Sequence, residues 1–291
     1  MHALYDWLIA PFVEFDFLRR ALAGALALSF SGAPVGVFLM LRRMSLTGDA
    51  MAHAILPGAA VGYLIYGLSL PAMTVGGLAA GFVVALLAGL VARFTQLRED
   101  ASMAAFYLLS LALGVTIVSV RGSNVDLLHV LFGSVLALDD AMLLLLGSVA
   151  TVTLFALAVL WRPLVMECVD PGFLRSVSRA GAPTHLAFLV LLVLNLVAGF
   201  HALGTLLAVG MVVTPAVSAR FWARELTGMA LGAVVIAALS GWLGLALSYH
   251  FGLPAGPAII LVTGGFYVAS LLAGPVGGVI WKAAPRRHLE A

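Results

Sequence analysis

Nine apolar runs, separated by short polar stretches, dominate this 291-residue sequence. A bilayer core about 30 Å thick needs about 20 apolar residues per helical crossing, and most of the runs have that length. The sequence therefore predicts an all-α, polytopic membrane bundle of eight to nine transmembrane helices. The predicted spans are Leu18–Leu41, Ser45–Tyr66, Pro71–Phe94, Ser102–Val120, Ala141–Trp161, His185–Leu203, Thr205–Ala219, Thr227–His250 and Pro257–Trp281.

Two segments depart from the regular span length. Thr205–Ala219 has only 15 residues, and the apolar stretch Leu127–Leu138 is too short to cross a bilayer. We therefore expect a re-entrant or broken helix within a single transmembrane domain over residues 1–291. Residues 1–17 form an amino-terminal interfacial segment in this scheme, and residues 282–291 form a cytoplasmic tail.

The composition excludes several classes of protein. Hydrophobic residues make up 63% of the chain and charged residues 10%, whereas soluble domains are about 25% charged, so lipid must be the solvent. A net charge of +2 gives no reason to expect a nucleic-acid partner. The sequence has no phosphate-binding Gly-x-x-x-x-Gly-Lys-Ser/Thr loop, and its one cysteine, Cys168, excludes a thiolate cluster.

The arginines predict the orientation, because basic residues in short loops favour the cytoplasm. Twelve of the fifteen basic residues fall on one side of the predicted topology. Arg19, Arg20 and Arg121 are left outside, and the Arg19–Arg20 pair argues against an external amino terminus.

Asp49 and His53 are an ionisable pair inside the second predicted span. A spacing of four residues puts both side chains on one helix face, and carboxylate with imidazole suits a divalent transition metal. The alternative is an ion pair or hydrogen bond that holds helices together. Gly48 before the pair and Pro57–Gly58 after it predict a helix that starts or breaks at membrane depth.

The other histidines are weaker candidates for metal contact. His129, His201 and His250 fall near predicted span ends, where imidazole can lie among lipid headgroups at little cost, and their contact with metal stays open. Three glycine pairs with small-xxx-small spacing predict close helix approach. They are Gly32/Gly36, Gly58/Gly62 and Gly77/Gly81.

Five motifs in order resemble one family over nearly the whole chain: the membrane permease subunits of bacterial ABC transporters for zinc, manganese or iron, the ABC-3 type. The most specific motif is Arg42–Gly58. The others are Asp126–Ser134, Asp170–Leu174, Leu206–Arg220 and Leu253–Pro257. The family frequently carries Ser at the position of Ala52 and a non-histidine residue at the position of His201, so a role for His201 would be peculiar to this chain.

The resemblance implies a transport subunit rather than an enzyme. Asp49 and His53 match the residues that the family uses for metal passage, so Mn²⁺ or Zn²⁺, less so iron, is expected as the transported substrate, with no permanently bound cofactor. The family works as a homodimer in the cytoplasmic (inner) membrane. It pairs with a separate cytoplasmic ATPase subunit pair and receives metal from an extracytoplasmic binding protein.

Two inside-facing segments are candidates to receive force from an ATPase, Cys168–Pro183 and Thr214–Glu225. Proline breaks helices, so Pro215 is expected to end the seventh span and a short polar-ended helix to follow. The resemblance identifies the second segment as the coupling helix, and its expected coupling residues are Pro215, Ala216, Ser218, Ala219 and Arg220. Without the resemblance, an ordinary positive-inside loop explains it equally well.

Two other classes of function compete. An ion- or proton-coupled secondary transporter without an ATPase predicts inverted halves with matching broken helices, and the carboxyl-terminal half has no second Gly-Asp-x-x-x-His. A membrane-embedded metalloenzyme needs about three protein ligands, whereas the sequence offers one pair.

Overall fold

The computed structural model describes residues 2–67, 69–95, 99–120, 135–170, 173–174, 178 and 181–283, and no β-strand occurs among them. The helices are α1 (His2–Leu8), α2 (Ala10–Glu14), α3 (Asp16–Leu41), α4 (Ser45–Ala54), α5 (Leu56–Tyr66), α6 (Leu70–Phe94), α7 (Glu99–Val120), α8 (Asp140–Val169), α9 (Gly181–Leu203), α10 (Thr205–Ala219), α11 (Leu226–Phe251), α12 (Ala255–Ala273) and α13 (Val279–Ala283), with a 3₁₀ turn at Val135–Ala137.

The prediction of an all-helical membrane bundle is confirmed, but the predicted count of eight to nine crossings is not. Among the described residues, six helices are long and apolar enough to cross a bilayer, namely α3, α6, α8, α9, α11 and α12. The apolar part of α7 and the whole of α10 are shorter. The second predicted span is divided into α4 and α5.

Helices α3 and α9 lie at the centre of the bundle. In the most apolar stretch of each, 72% of the residues are buried, against 28% in α6, α8 and α12. Helix α3 packs on α8, α9, α10 and α11. The outer helices instead leave large apolar side chains exposed, as expected for surfaces that face lipid.

Helix α10 runs alongside α3 in the same direction. A Cβ on Gly24 would lie near Leu203, just before α10 begins, and Cβ atoms on Gly32 and Gly36 further along α3 would meet Val212, further along α10. Both helices therefore end on the same side, which we call the Arg42 end of the bundle. Arg19 and Arg20 lie at the opposite end, where Asp16 pairs with both and Asp140 pairs with Arg20, which offsets their charge.

The predicted close glycine contacts are confirmed. A Cβ atom on Gly36 would overlap the carbonyl oxygen of Val212, and one on Gly58 would overlap the carbonyl oxygen of Gly76. Gly77 faces Ile55 and Gly81 faces Val193. Helices α3 and α10, and helices α5 and α6, therefore touch through backbone, as small-residue packing in membranes allows.

The expectation that Pro215 ends the seventh span is wrong. Helix α10 continues through Pro215 to Ala219, the chain turns, and α11 begins at Leu226, so no separate short helix occupies Thr214–Glu225. An interior proline loses one N–H donor and crowds the carbonyl four residues before it. Tertiary packing compensates, because Pro215, Ala216, Ser218 and Ala219 are all buried.

The predicted interfacial segment, residues 1–17, contains α1, α2 and the start of α3. Its described part packs on the end of α11 opposite the Arg42 end. The rings of Trp7 and His250 stack with centroids 4.8 Å apart, and Trp242 Nε1 donates to the Leu8 carbonyl at 3.0 Å.

Of the re-entrant candidate Leu127–Leu138, only residues from 135 onward are described. Several other residues considered above also lie outside the described residues, namely His129, Arg98, Arg121, Arg175, Arg179, Arg286 and Arg287.

Candidate metal site

The candidate site lies on α4, which follows α3 after a three-residue connection. The connection Arg42–Met44 is held by backbone bonds to the last turn of α3, including Met44 N–H to the Leu39 carbonyl at 3.0 Å. Arg43 adopts a positive φ of 60°, a conformation that costs a non-glycine residue free energy. The short connection therefore fixes where α4 starts relative to α3.

Asp49 and His53 lie side by side on α4, as their spacing predicts. His53 Nε2 is 3.8 Å from Asp49 Oδ1. The His53 side chain is 32% exposed and the Asp49 side chain is 63% exposed. This separation is too long for a hydrogen bond. Two donor atoms bound to one tetrahedral ion at about 2.1 Å lie about 3.4 Å apart, so a small side-chain rotation lets both contact one cation.

The helix break predicted after the pair is confirmed. Helix α4 ends at Ala54, and α5 begins at Leu56 with Pro57 in its first turn. Pro57 has no N–H to donate to the His53 carbonyl, which a continuous helix would require. The Ala54 carbonyl instead accepts a hydrogen bond from Ser110 on α7 at 3.0 Å. The break thus lets a side chain of α7 bond the backbone directly after His53.

Beside Asp49 is a cleft of about 290 Å³ between α4 and α7. Its walls are Leu46, Thr47, Asp49, Ala50, Ala101, Met103, Ala104 and Tyr107. The Tyr107 ring lies nearly parallel to that of His53, with centroids 6.1 Å apart. Thr47 is 2% exposed, and its Oγ1 has no hydrogen-bond partner among the described residues. Sequence reasoning missed Thr47 and Tyr107, because no motif connects Tyr107 to α4.

The ring nitrogens of His53 have different surroundings. Nε2 faces Asp49, whereas Nδ1 is buried without a hydrogen-bond partner. Metal-ligating histidines almost always donate the second ring N–H to an acceptor. Within the described part of this chain His53 has none, so the site is incomplete in its outer contacts as well as in its ligand number.

His201 and His250 do not join this pair. His201 Nδ1 donates to the Val197 carbonyl at 2.9 Å, and its ring lies against Gly77 on α6. Its Nε2 is buried and has no partner within the described part of the chain. His250 Nε2 contacts the Trp7 carbonyl at 2.9 Å, a contact between helices. Among the described residues, no group of three or more His, Cys, Asp or Glu side chains is arranged to hold a metal ion. The Asp49–His53 pair therefore stands as a partial site.

The predicted coupling residues lie at the carboxyl-terminal end of α10, on a different helix from this pair. Pro215, Ala216, Ser218 and Ala219 are buried, and Arg220 is exposed. Nevertheless α10 touches the site directly, since a Cβ on Gly48 would lie 3.5 Å from Val213 Cγ2. One helix thus connects the exposed Arg220 with the residue that precedes Asp49.

Comparisons with known proteins cover nearly the whole chain. A model of the ABC 3 transport family matches residues 14–274. "Manganese import system permease protein ScaB" of Streptococcus parasanguinis is 32% identical over 262 residues, covering 90% of this chain and 92% of that protein. "Probable iron transport system membrane protein" of Haemophilus influenzae is 30% identical over 269 residues, covering 92% and 97%. A chain of PsaBC from Streptococcus pneumoniae in complex with Fab has a TM-score of 0.80 at 30% identity, covering 95% and 98%.

Proposed function

The chain belongs to the ABC 3 transport family, and from this premise we propose that it is the permease subunit of an importer that carries Mn²⁺ or Zn²⁺ into the bacterial cell. It is a multi-pass protein of the cell membrane, and it is a transport subunit rather than an enzyme. The observation that carries the choice of cargo is the Asp49–His53 pair, with donor atoms 3.8 Å apart on an accessible helix face.

A partial site suits transport better than a complete one. An ion enclosed by a full set of protein ligands, as in structural zinc sites, leaves slowly. One chain offers two donors, and a homodimer offers four if the two pairs face a common path. We therefore propose that the permease works as a homodimer and that the ion is held only transiently.

The metal is manganese or zinc in this proposal, and manganese is favoured. Carboxylate and imidazole together suit both ions, and raw affinity follows the Irving–Williams order, which ranks zinc above manganese. The donor set alone therefore does not select manganese. The names of the relatives support it, because ScaB is named for manganese import. An extracytoplasmic binding protein would deliver the ion and select it.

Energy comes from a separate ATPase pair at the Arg42 end, which we assign to the cytoplasm. The coupling residues are the last turn of α10, with Pro215, Ala216, Ser218 and Ala219 as its packed part and Arg220 as its exposed part. Because α10 is one helix from Thr205 to Ala219 and Val213 abuts Gly48, a push on its end reaches α4 without an intervening loop. Such a push would alter access to the Asp49–His53 pair.

Reconstituted transport tests this function. We expect the permease, purified with its ATPase and placed in proteoliposomes with the metal-binding protein, to accumulate radioactive manganese only when ATP reaches the ATPase. A secondary transporter would instead accumulate manganese without the ATPase when a proton or sodium gradient is applied. Gradient-driven uptake by the permease alone would overturn the proposal.

The substitution Arg220→Glu tests the coupling end. Arg220 is exposed, so the variant should fold, but reversal of its charge at the end of α10 should uncouple ATP hydrolysis from transport. We therefore expect manganese uptake to fall strongly while the amount of protein in the membrane stays the same. Ala216 is less suitable for this test, because it is fully buried and a larger side chain would disturb packing.

The matched control is Arg162→Glu, which makes the same charge change at an exposed position of α8. Uptake and co-purification of the ATPase are measured for both variants. Equal and normal uptake in both would remove Arg220 from the coupling mechanism.

A further inference from the structure

A buried ion pair lies at the Arg42 end, separate from both the metal pair and α10. Arg42 Nη2 donates to Glu167 Oε1 at 2.7 Å, and each side chain is only 9% exposed. The same Nη2 contacts His185 Nδ1, and the guanidinium carbon lies 4.7 Å from the centre of the Phe188 ring. Arg42 thus contacts three side chains on α8 and α9.

The chemistry of these contacts is specific to arginine. Guanidinium has five donors in a fixed plane and no acceptor, so it bonds carboxylate and stacks on an aromatic face at once. Because guanidinium can only donate, His185 Nδ1 must be the acceptor in its contact with Arg42. Lysine would retain the charge but lose the planar arrangement.

A buried ion pair is weak evidence for stability, since apolar residues of similar volume often replace such pairs without loss. Removing one partner is costly because it leaves the other charge buried and unpaired. Both residues of the Arg42–Glu167 pair can therefore be replaced together. The effect of the pair on the position of α4 can then be tested separately from its effect on folding.

The place of Arg42 in the chain gives the pair its significance. Arg42 is the first residue of the three-residue connection from α3 to α4, Glu167 lies in the last turn of α8, and His185 is the fifth residue of α9. Helix α4 starts at Ser45, so Asp49 lies four residues, or about 6 Å, further along the helix. The contacts of Arg42 thus fix the start of α4 against the carboxyl-terminal end of α8 and the amino-terminal end of α9.

We propose that Arg42 is a positioning residue that holds the Asp49–His53 helix to the ends of α8 and α9, so that these ends and α4 move together. The connection is too short to absorb a displacement, and the positive φ of Arg43 already places it in a strained conformation. Movement at the ends of α8 and α9 therefore becomes a shift of Asp49. This link from α8 and α9 through Arg42 to α4 is independent of the contact between Val213 and Gly48. The inference rests on the proposed transport function.

The test uses the double variant Arg42→Met/Glu167→Gln, which removes both charges and keeps side-chain length. Two spin labels report the position of α4 relative to α8, attached at Leu46→Cys and Val169→Cys in a Cys168→Ser background, since both positions are strongly exposed. We expect one narrow distance with Arg42 and Glu167 present, and a broadened or shifted distribution in the double variant. A control pair on α8 and α11, at Val169→Cys and Leu231→Cys, should not change.

Transport supplies the second readout. In proteoliposomes we expect manganese uptake by the unlabelled double variant to fall strongly, while ATP hydrolysis and assembly with the ATPase persist. The single variant Arg42→Lys, with Glu167 kept, should retain only part of the uptake. An unchanged label distance overturns the positioning role, whatever the transport result. A changed distance with normal uptake shows that the position does not matter for transport and also overturns the proposal. If the permease with Arg42 and Glu167 unchanged shows no ATP-dependent uptake, the proposed transport function is rejected. The distances between the spin labels still decide whether Arg42 positions α4.

Discussion

Replacement of Asp49 or His53 by alanine is expected to abolish manganese accumulation while the protein remains in the membrane. In the proposed site each residue supplies one of the two donors identified in the described part of the chain, so its loss would leave the ion with water or, in the proposed homodimer, with the partner chain. Changes around metal ligands already cost about 10- to 100-fold in affinity, so we expect the loss of a ligand to lower uptake by about 100-fold or more. The loss is measured as the uptake of radioactive manganese and zinc by cells that lack their native importer.

Two further variants make this test specific. Asp49→Asn keeps the size of the side chain and removes its charge, and it should fail like Asp49→Ala. His250→Ala removes a histidine that packs on Trp7 far from the pair, and it should transport normally. Both the amount of each variant in the membrane and its uptake are measured. Normal uptake by either alanine variant of the pair would remove that residue from the path.

The substitution Gly58→Ala is expected to lower stability strongly, because a single added methyl group has no space. Its Cβ would overlap the carbonyl oxygen of Gly76, and backbone cannot move aside as a flexible side chain can. Overpacking of a core typically costs about 1–3 kcal/mol, and we expect the upper end of that range or more. Thermal unfolding of the detergent-purified protein, followed by size-exclusion chromatography, measures the loss.

Gly89→Ala is the matched control. Gly89 lies on α6, and a Cβ there would meet no atom within 4 Å. Alanine favours the helix over glycine by up to about 1 kcal/mol, so this variant should be neutral or slightly more stable. If Gly58→Ala proved as stable as Gly89→Ala, α5 and α6 would not need their close approach.

The features predicted correctly are those that depend on residues near each other in the chain. A run of about 20 apolar residues forms a helix in lipid because no other spanning structure satisfies its backbone except a closed barrel. Asp49 and His53 share a face because the helical repeat brings residues four apart together. The break after His53 follows from the missing N–H of Pro57, again a local property.

The features that sequence reasoning missed or predicted wrongly depend on contacts between distant segments. Pro215 carries the same local signal as Pro57, yet α10 continues past it because the residues around it are buried between helices. Tyr107 reaches His53 from another helix, and no repeat or motif marks it. The number of full crossings also depends on how short helices such as α10 are accommodated within the bundle.

The apolar runs and the four-residue spacing by themselves determined the helical class, the membrane environment and the shared helix face of Asp49 and His53, because hydrophobicity and helical periodicity act over a few turns. Only the tertiary structure decided which helices pass through the centre, that α10 lies against Gly48, and that Arg42 pairs with a carboxylate 125 residues away. The physical reason is that a buried charge or a helix-interior proline is tolerated or not according to the partners that packing brings to it, and those partners have no fixed separation in the sequence.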